Sequence, residues 1–156
     1  MEYSAAERST LLRVACASIA SGLQSGKPLA VDAAAYPAPL TEMRASFVTL
    51  TQDNALRGCI GSLEACRMLV EDVAHNAFAA AFRDPRFAPL QQQEFETLDV
   101  QISVLGTPEP LAVVSEQQLL EQLRPEVDGL ILQENNHRGT FLPSVWESLP
   151  QPEDFL

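Results

Sequence analysis

Leu56-Arg57-Gly58-Cys59-Ile60-Gly61 follows an apolar run, Phe47, Val48 and Leu50, across the polar turn Gln52-Asp53-Asn54. That arrangement predicts a β-hairpin with Ala45–Thr51 as one strand and Leu56–Gly61 as the other. Two glycines within the second strand weaken it, and glycine in a strand usually marks a bulge or a close backbone approach. Side chains alternate faces along an extended chain. Arg57 and Cys59 are therefore expected on one face, with Leu56 and Ile60 on the other. A cation beside a thiol favours the thiolate, so this strand is the first candidate site.

Outward from the hairpin, the chain alternates helical and extended patterns. Residues from about Ser4 to Gln24 read as a helix, with Leu11, Leu12, Ala15, Ile19 and Leu23 recurring at helical spacing and Gly22 and Gly26 near its stop. A Pro-rich connector covers about 27–40, where repeated prolines favour extended chain. Cys66 to Phe82 reads as a second helix with Leu69, Val73, Asn76, Ala77, Ala80 and Ala81 on one stripe, stopped by Pro85. Leu98, Val100, Ile102 and Val104 alternate with Asp99, Gln101 and Ser103 as a half-buried strand. After the breaker Gly106-Thr107-Pro108-Glu109-Pro110, Ser115 and Gln118 suit the start of a short helix. A last hairpin is expected from Gly129–Gln133 and Gly139–Leu142 across Asn135-Asn136-His137-Arg138, and the tail after Pro143 reads as one helical turn and coil. Antiparallel hairpins mixed with helices define an α+β fold.

The chain has 156 residues and a net charge of −11, with 46% hydrophobic and 20% charged residues. That length suits one domain burying roughly 70% of its unfolded surface. Nine arginines and one lysine are scattered without a cluster, which argues against nucleic acid as a partner. Cys16, Cys59 and Cys66 are odd in number and lack CxxC spacing, so reduced thiols fit better than a disulfide framework. The polar, acidic Met1-Glu2-Tyr3-Ser4 start lacks a basic signal region, and no apolar run approaches the roughly 20 residues of a membrane helix. A cytoplasmic location is expected.

A second candidate lies at Arg83-Asp84-Pro85-Arg86-Phe87. Asp84 faces the negative end of the preceding helix dipole and so requires a partner, which Arg86 or Arg57 could supply. Such a pair can brace the loop while Phe87 fills the core, or it can orient a site. Asp99, Gln101, Ser103, His137 and Arg138 fit a solvent-facing strand and hairpin tip. His75 fits a helix flank. No histidines or cysteines stand at metal-ligand spacing, and the GxSxG, GxGxxG and phosphate-loop signatures are missing. Neither metal nor cofactor is expected.

Phe47-Val48-Thr49-Leu50, Leu56–Gly61, Asn76 through Phe82, Asp84-Pro85-Arg86-Phe87, Ile102-Ser103-Val104-Leu105 and Phe141-Leu142-Pro143 with Val145-Trp146 together resemble the AMMECR domain family. Its bacterial and archaeal members are called AmmeMemoRadiSam system protein A. The resemblance runs from the first helix to Leu156. It implies one compact α+β domain over residues 1–156, in two lobes, with signature residues lining a cleft. Carried over by motif, that cleft would hold Arg57, Gly58, Cys59, Gly61, Asp84 and Arg86. The family pattern continues beyond this stretch into a Lys-containing helical element, whereas this sequence ends at Leu156.

Two functions follow from that resemblance and from the residues. In one, the chain is a binding or accessory subunit acting with a Memo-type protein and a radical S-adenosylmethionine enzyme, and its cleft holds an anionic ligand or peptide segment. In the other, Cys59 is a thiolate nucleophile or redox thiol, with Arg57 lowering its pKa and Asp84 and Arg86 orienting the site. The second reading lacks an obvious general base, which acyl transfer normally requires.

Overall fold

A computed structural model describes residues 3–106, 115–122, 130–134 and 137–141. Contacts divide the chain into two compact units, parted between Thr107 and Pro108 within the Gly/Pro-rich breaker. The first unit begins with helix α1, Ala5–Ser25. Ser4 caps it with a reciprocal box: its hydroxyl accepts from Glu7 N–H at 3.1 Å, and the Glu7 carboxylate accepts from Ser4 N–H at 2.9 Å. Gly26, at φ 71°, supplies the left-handed stop. Gly22 lies inside the helix, where a Cβ would stand 2.3 Å from the Phe82 ring. Leu12, expected on the buried stripe, is instead exposed, and Val14 and Ser18 are buried with Leu11, Ala15 and Ile19.

The Pro-rich stretch lies within the first unit. It contains two single 3-10 turns, Ala33–Ala35 and Ala38–Leu40, and anchors itself through fully buried Leu40. Strands β1 (Ala45–Gln52) and β2 (Ala55–Gly61) then form the expected hairpin. Asp53 and Asn54 both take positive φ, 52° and 63°. That is the demand of a tight two-residue turn whose twist matches the strands. Strand β3 (Leu98–Leu105) pairs antiparallel with β1 along its whole length, giving the order β2-β1-β3.

Helix α2, Leu69–Phe82, starts three residues later than its apolar pattern suggests and ends where expected. Its burial is broader than a stripe, since α2 packs against α1 on one side and against β1 and β2 on the other. Valines, alanines and Phe78 fill this layer. The polar groups caught there are paired: Ser46 donates to Asp72 Oδ2 at 2.5 Å, Asn76 Nδ2 donates to Asp72 Oδ2 at 3.0 Å and to the Ser46 carbonyl at 3.0 Å. Arg67 Nε stands 3.1 Å from Asp72 Oδ1 as an ion pair, out of line for a hydrogen bond. Ser18 ties the two helices by donating to the Ala74 carbonyl at 2.6 Å. A further short helix, α3 (Gln92–Phe95), follows the loop after α2 and had no sequence signal.

In the second unit, helix α4 (Glu116–Gln122) begins as anticipated, with Gln118 N–H donating to the Ser115 hydroxyl at 3.2 Å. Strands β4 (Leu130–Glu134) and β5 (His137–Phe141) form the last hairpin. His137 and Arg138 sit within β5, opposite Glu134 and Gln133, and not in the turn. The tail expected after Pro143 lies outside the described residues.

Candidate functional site

The position of Cys59 is set by one extra residue. A two-residue turn pairs Gln52 with Ala55 and Thr51 with Leu56, after which the register slips so that Leu50 pairs with Gly58 and Thr49 with Cys59. Arg57 is the residue left over, at a β-bulge. The alternation expected from the sequence is therefore broken: Leu56 and Cys59 lie opposite Thr51 and Thr49 on one face, while Gly58 and Ile60 lie opposite Leu50 and Val48 on the core face. Arg57 and Cys59 do not form the side-by-side pair that plain alternation implies. Cys59 Sγ lies 3.2 Å from Thr49 Oγ1, a contact in which either atom can donate. Thr49 is the site residue sequence reasoning missed.

Both motif glycines are explained by packing within the chain. A Cβ on Gly58 would stand 2.1 Å from the Ala80 carbonyl oxygen of α2, and one on Gly61 would stand 2.5 Å from the Ser46 carbonyl oxygen and 2.3 Å from the Phe47 ring. The close backbone approach that the glycines signal is made by the helix and by the neighbouring strand.

Asp84 is the hub of the site. It follows α2 directly, is almost fully buried, and accepts four hydrogen bonds. Oδ2 accepts from Cys59 N–H at 3.1 Å and from Arg86 Nη2 at 2.7 Å; Oδ1 accepts from Arg86 N–H at 3.1 Å and from Arg86 Nε at 3.0 Å. This two-pronged carboxylate–guanidinium geometry is the strong form of the interaction. The Arg86 fork holds the Asp84 carboxyl well below the usual carboxylate range; burial opposes this, and the Cys59 and Arg86 main-chain N–H groups reinforce it. The Asp84 carbonyl also accepts from Phe87 N–H at 3.1 Å, closing the turn. The same carboxylate thus braces the loop and fastens it to the strand that carries the thiol.

The two arginines have different roles. Arg57 Nε donates to Glu94 at 2.7 Å and Nη2 donates to the Ala88 carbonyl at 2.8 Å, while its buried Nη1 finds no partner among the described residues. It straps the 84–94 segment to β2. Arg86 is 55% exposed at its side chain, over a nearly buried Asp84 at 2%. Its affinity for the proton is raised, first by the Asp84 hydrogen bonds and also by the field of Cys59. Arg86 is the more exposed of the two, and its Nη2 shares Asp84 Oδ2 with the main-chain N–H of Cys59. Phe87 lies half-buried beneath both, 5.5 Å from the Arg86 guanidinium carbon and 5.8 Å from that of Arg57.

His75 on α2 is pushed below the ordinary histidine pKa by burial and by Arg67, in the direction of a neutral flank residue. Among the described residues no group of histidines, cysteines or carboxylates could hold a metal ion. No described helix is long and apolar enough to cross a membrane.

The architecture is an α+β domain built on a short antiparallel sheet, with an Arg–Asp clasp and a cysteine at one edge strand. The AMMECR1 family profile matches residues 12–156. A protein of Methanothermobacter thermautotrophicus is 37% identical over 155 residues, covering 96% of this chain and 78% of that relative. Protein MJ0810 of Methanocaldococcus jannaschii is 37% identical over 123 residues, covering 78% of this chain and 60% of the relative. The crystal structure of the uncharacterized protein PH0010 from Pyrococcus horikoshii superposes with a TM-score of 0.84 at 34% identity, over 94% of this chain and 74% of that one. The chain belongs to the AMMECR1 family.

Proposed function

We propose that this chain is a binding subunit that receives an anionic group, from a small ligand or an acidic peptide segment, at the outer edge of Arg86. The observation that carries this reading is the combination of rigidity and exposure in one guanidinium. Asp84 takes Nε and Nη2, Phe87 supports the plane, and more than half of the side chain still meets solvent. A fork fixed before binding loses little rotamer freedom on contact, which favours recognition of a planar anion. The partners are a Memo-type protein and a radical S-adenosylmethionine enzyme, as the naming of the family's bacterial and archaeal members suggests. Capture of either partner by the tagged chain, and its loss with Arg86→Gln at a temperature where the variant is still folded by circular dichroism, is the expected result. Equal capture by parent and variant overturns the reading.

A catalytic use of Cys59 is favoured by one observation, the shared Asp84 carboxylate that holds the Arg86 guanidinium against the main chain of Cys59. In that case Cys59→Ser removes activity while leaving partner capture intact, which separates the two readings.

A further inference from the structure

Arg57 is the buried counterpart of Arg86. Its side chain is 13% exposed against 55% for Arg86, and Glu94 meets its charge at 2.7 Å. It therefore offers little to an incoming anion, but it holds the loop on which Arg86 stands. The Asp84 carboxylate fixes the Nε–Nη2 edge of the Arg86 guanidinium. Contact along one edge leaves the plane free to tilt about that edge, and the Phe87 ring, 5.5 Å from the guanidinium carbon, limits the tilt. The same ring lies 5.8 Å from the Arg57 guanidinium carbon, and the carbonyl of the next residue, Ala88, accepts from Arg57 Nη2 at 2.8 Å. A line of contacts thus runs from β2 through Arg57 to Phe87 and Ala88, and from Phe87 to Arg86. A planar fork makes the Glu94 and Ala88 bonds in fixed directions, which a lysine ammonium does not reproduce. The remaining nitrogen of that fork, Nη1, is buried without a partner among the described residues. A buried unpaired donor costs stability, so the strap is not arranged for stability alone.

We propose that Arg57 is a positioning residue for the anion-receiving face of Arg86, acting through the Phe87 ring and the Ala88 carbonyl and making no contact with the ligand. This rests on the reading of Arg86 as the anion-receiving group and adds the residue that sets its orientation. With the strap broken, Arg86 spends only part of its time in the binding orientation, and the apparent affinity falls by that fraction.

The test measures the dissociation constant of a Glu-rich peptide on the intact chain for the parent, Arg57→Lys, Arg86→Gln and the double variant, each at a temperature where circular dichroism shows it folded. Solvent exchange of the Arg86 Nε–H is followed by NMR in the free proteins that retain Arg86. Arg57→Lys is expected to weaken binding about fivefold, as for a guanidinium in the binding orientation about a fifth of the time. It also speeds exchange of the Arg86 Nε–H, and it adds nothing to the loss already caused by Arg86→Gln. A strap that serves stability alone lowers the denaturation midpoint but leaves affinity and Nε–H exchange as in the parent, and that result overturns the proposal. A further loss in the Arg86→Gln background makes Arg57 a direct ligand contact and overturns it equally. Where Arg57→Lys fails to fold, Phe87→Leu decides, because it removes the ring, keeps apolar bulk and is expected to give the same two effects. Affinity that depends on Arg86 but not on Arg57→Lys or Phe87→Leu overturns this inference alone. Faster Nε–H exchange alongside an affinity insensitive to Arg86→Gln overturns the anion reading and leaves the orienting role of Arg57.

Discussion

At the scale of single residues, Asp84 does the most. Its carboxylate joins three things that the sequence presents separately: the end of α2, the main chain at Cys59 and the Arg86 guanidinium. The residues alone showed that an aspartate set against the helix dipole requires a partner. They did not distinguish Arg86 from Arg57, because Arg57 finds its own carboxylate 37 positions away in Glu94. Asp84→Asn removes a charge from these hydrogen bonds, and a loss of about 1.5–3 kcal/mol at neutral pH is expected by chemical denaturation. The pH dependence has a definite sign. With a folded pKa below the unfolded value, Asp84 contributes its full stabilisation above the ordinary aspartate pKa of about 4. That contribution is lost as pH falls through the depressed folded value. The gap between parent and Asp84→Asn therefore narrows progressively below about pH 4. A gap that stays constant into strong acid would show that the carboxylate's charge is immaterial.

At the scale of elements, the hairpin shows where reading a sequence stops. A polar turn at Gln52-Asp53-Asn54 was legible; the structure tightens it to the two residues Asp53-Asn54, and continuing that register without interruption places Cys59 opposite Val48, on the core face. The bulge shifts the pairing by one, and a one-residue shift moves a side chain to the other face. Cys59 accordingly meets Thr49. Nothing in the composition marks which residue is extra, apart from the glycine beside it. Thr49 was invisible for the same reason, since an isolated threonine in an alternating strand reads as ordinary strand material. The glycines mark points of close approach, as their place in a strand implies, and the approaching group is the carbonyl of Ala80 on α2 at Gly58 and β1 itself, through Ser46 and Phe47, at Gly61. Gly58→Ala therefore drives strand from helix, at a cost of about 1–3 kcal/mol as an overpacked core contact. The expected readout is a lower denaturation midpoint with an unchanged slope. Full retention of the midpoint would mean that β2 and α2 can separate freely.

At the scale of the whole molecule, the α+β class, the first hairpin, both long helices and the β3 strand were readable from periodicity and turn chemistry. Each arises from local pattern plus burial of one face. The late start of α2 was less readable, because its first turn lacks a side-chain cap and is held by Glu42, whose carbonyl accepts from Leu69 N–H at 2.9 Å. The site was legible as a list of residues and not as a geometry. Cys59, Asp84 and Arg86 come together, Gly58 and Gly61 serve packing, and Arg57 belongs to the strap that holds the loop. An acidic chain, at −11, thus presents in Arg86 an exposed guanidinium held by the carboxylate that also fastens the main chain of Cys59. The most direct measurement is a titration of amide and guanidinium nitrogen shifts with a Glu-rich peptide. The account predicts saturable shifts at Arg86 Nε and at the Cys59 and Arg86 amides, lost in Arg86→Gln. Shifts that cluster elsewhere, or that persist at Cys59 without the Arg86 guanidinium, would contradict it.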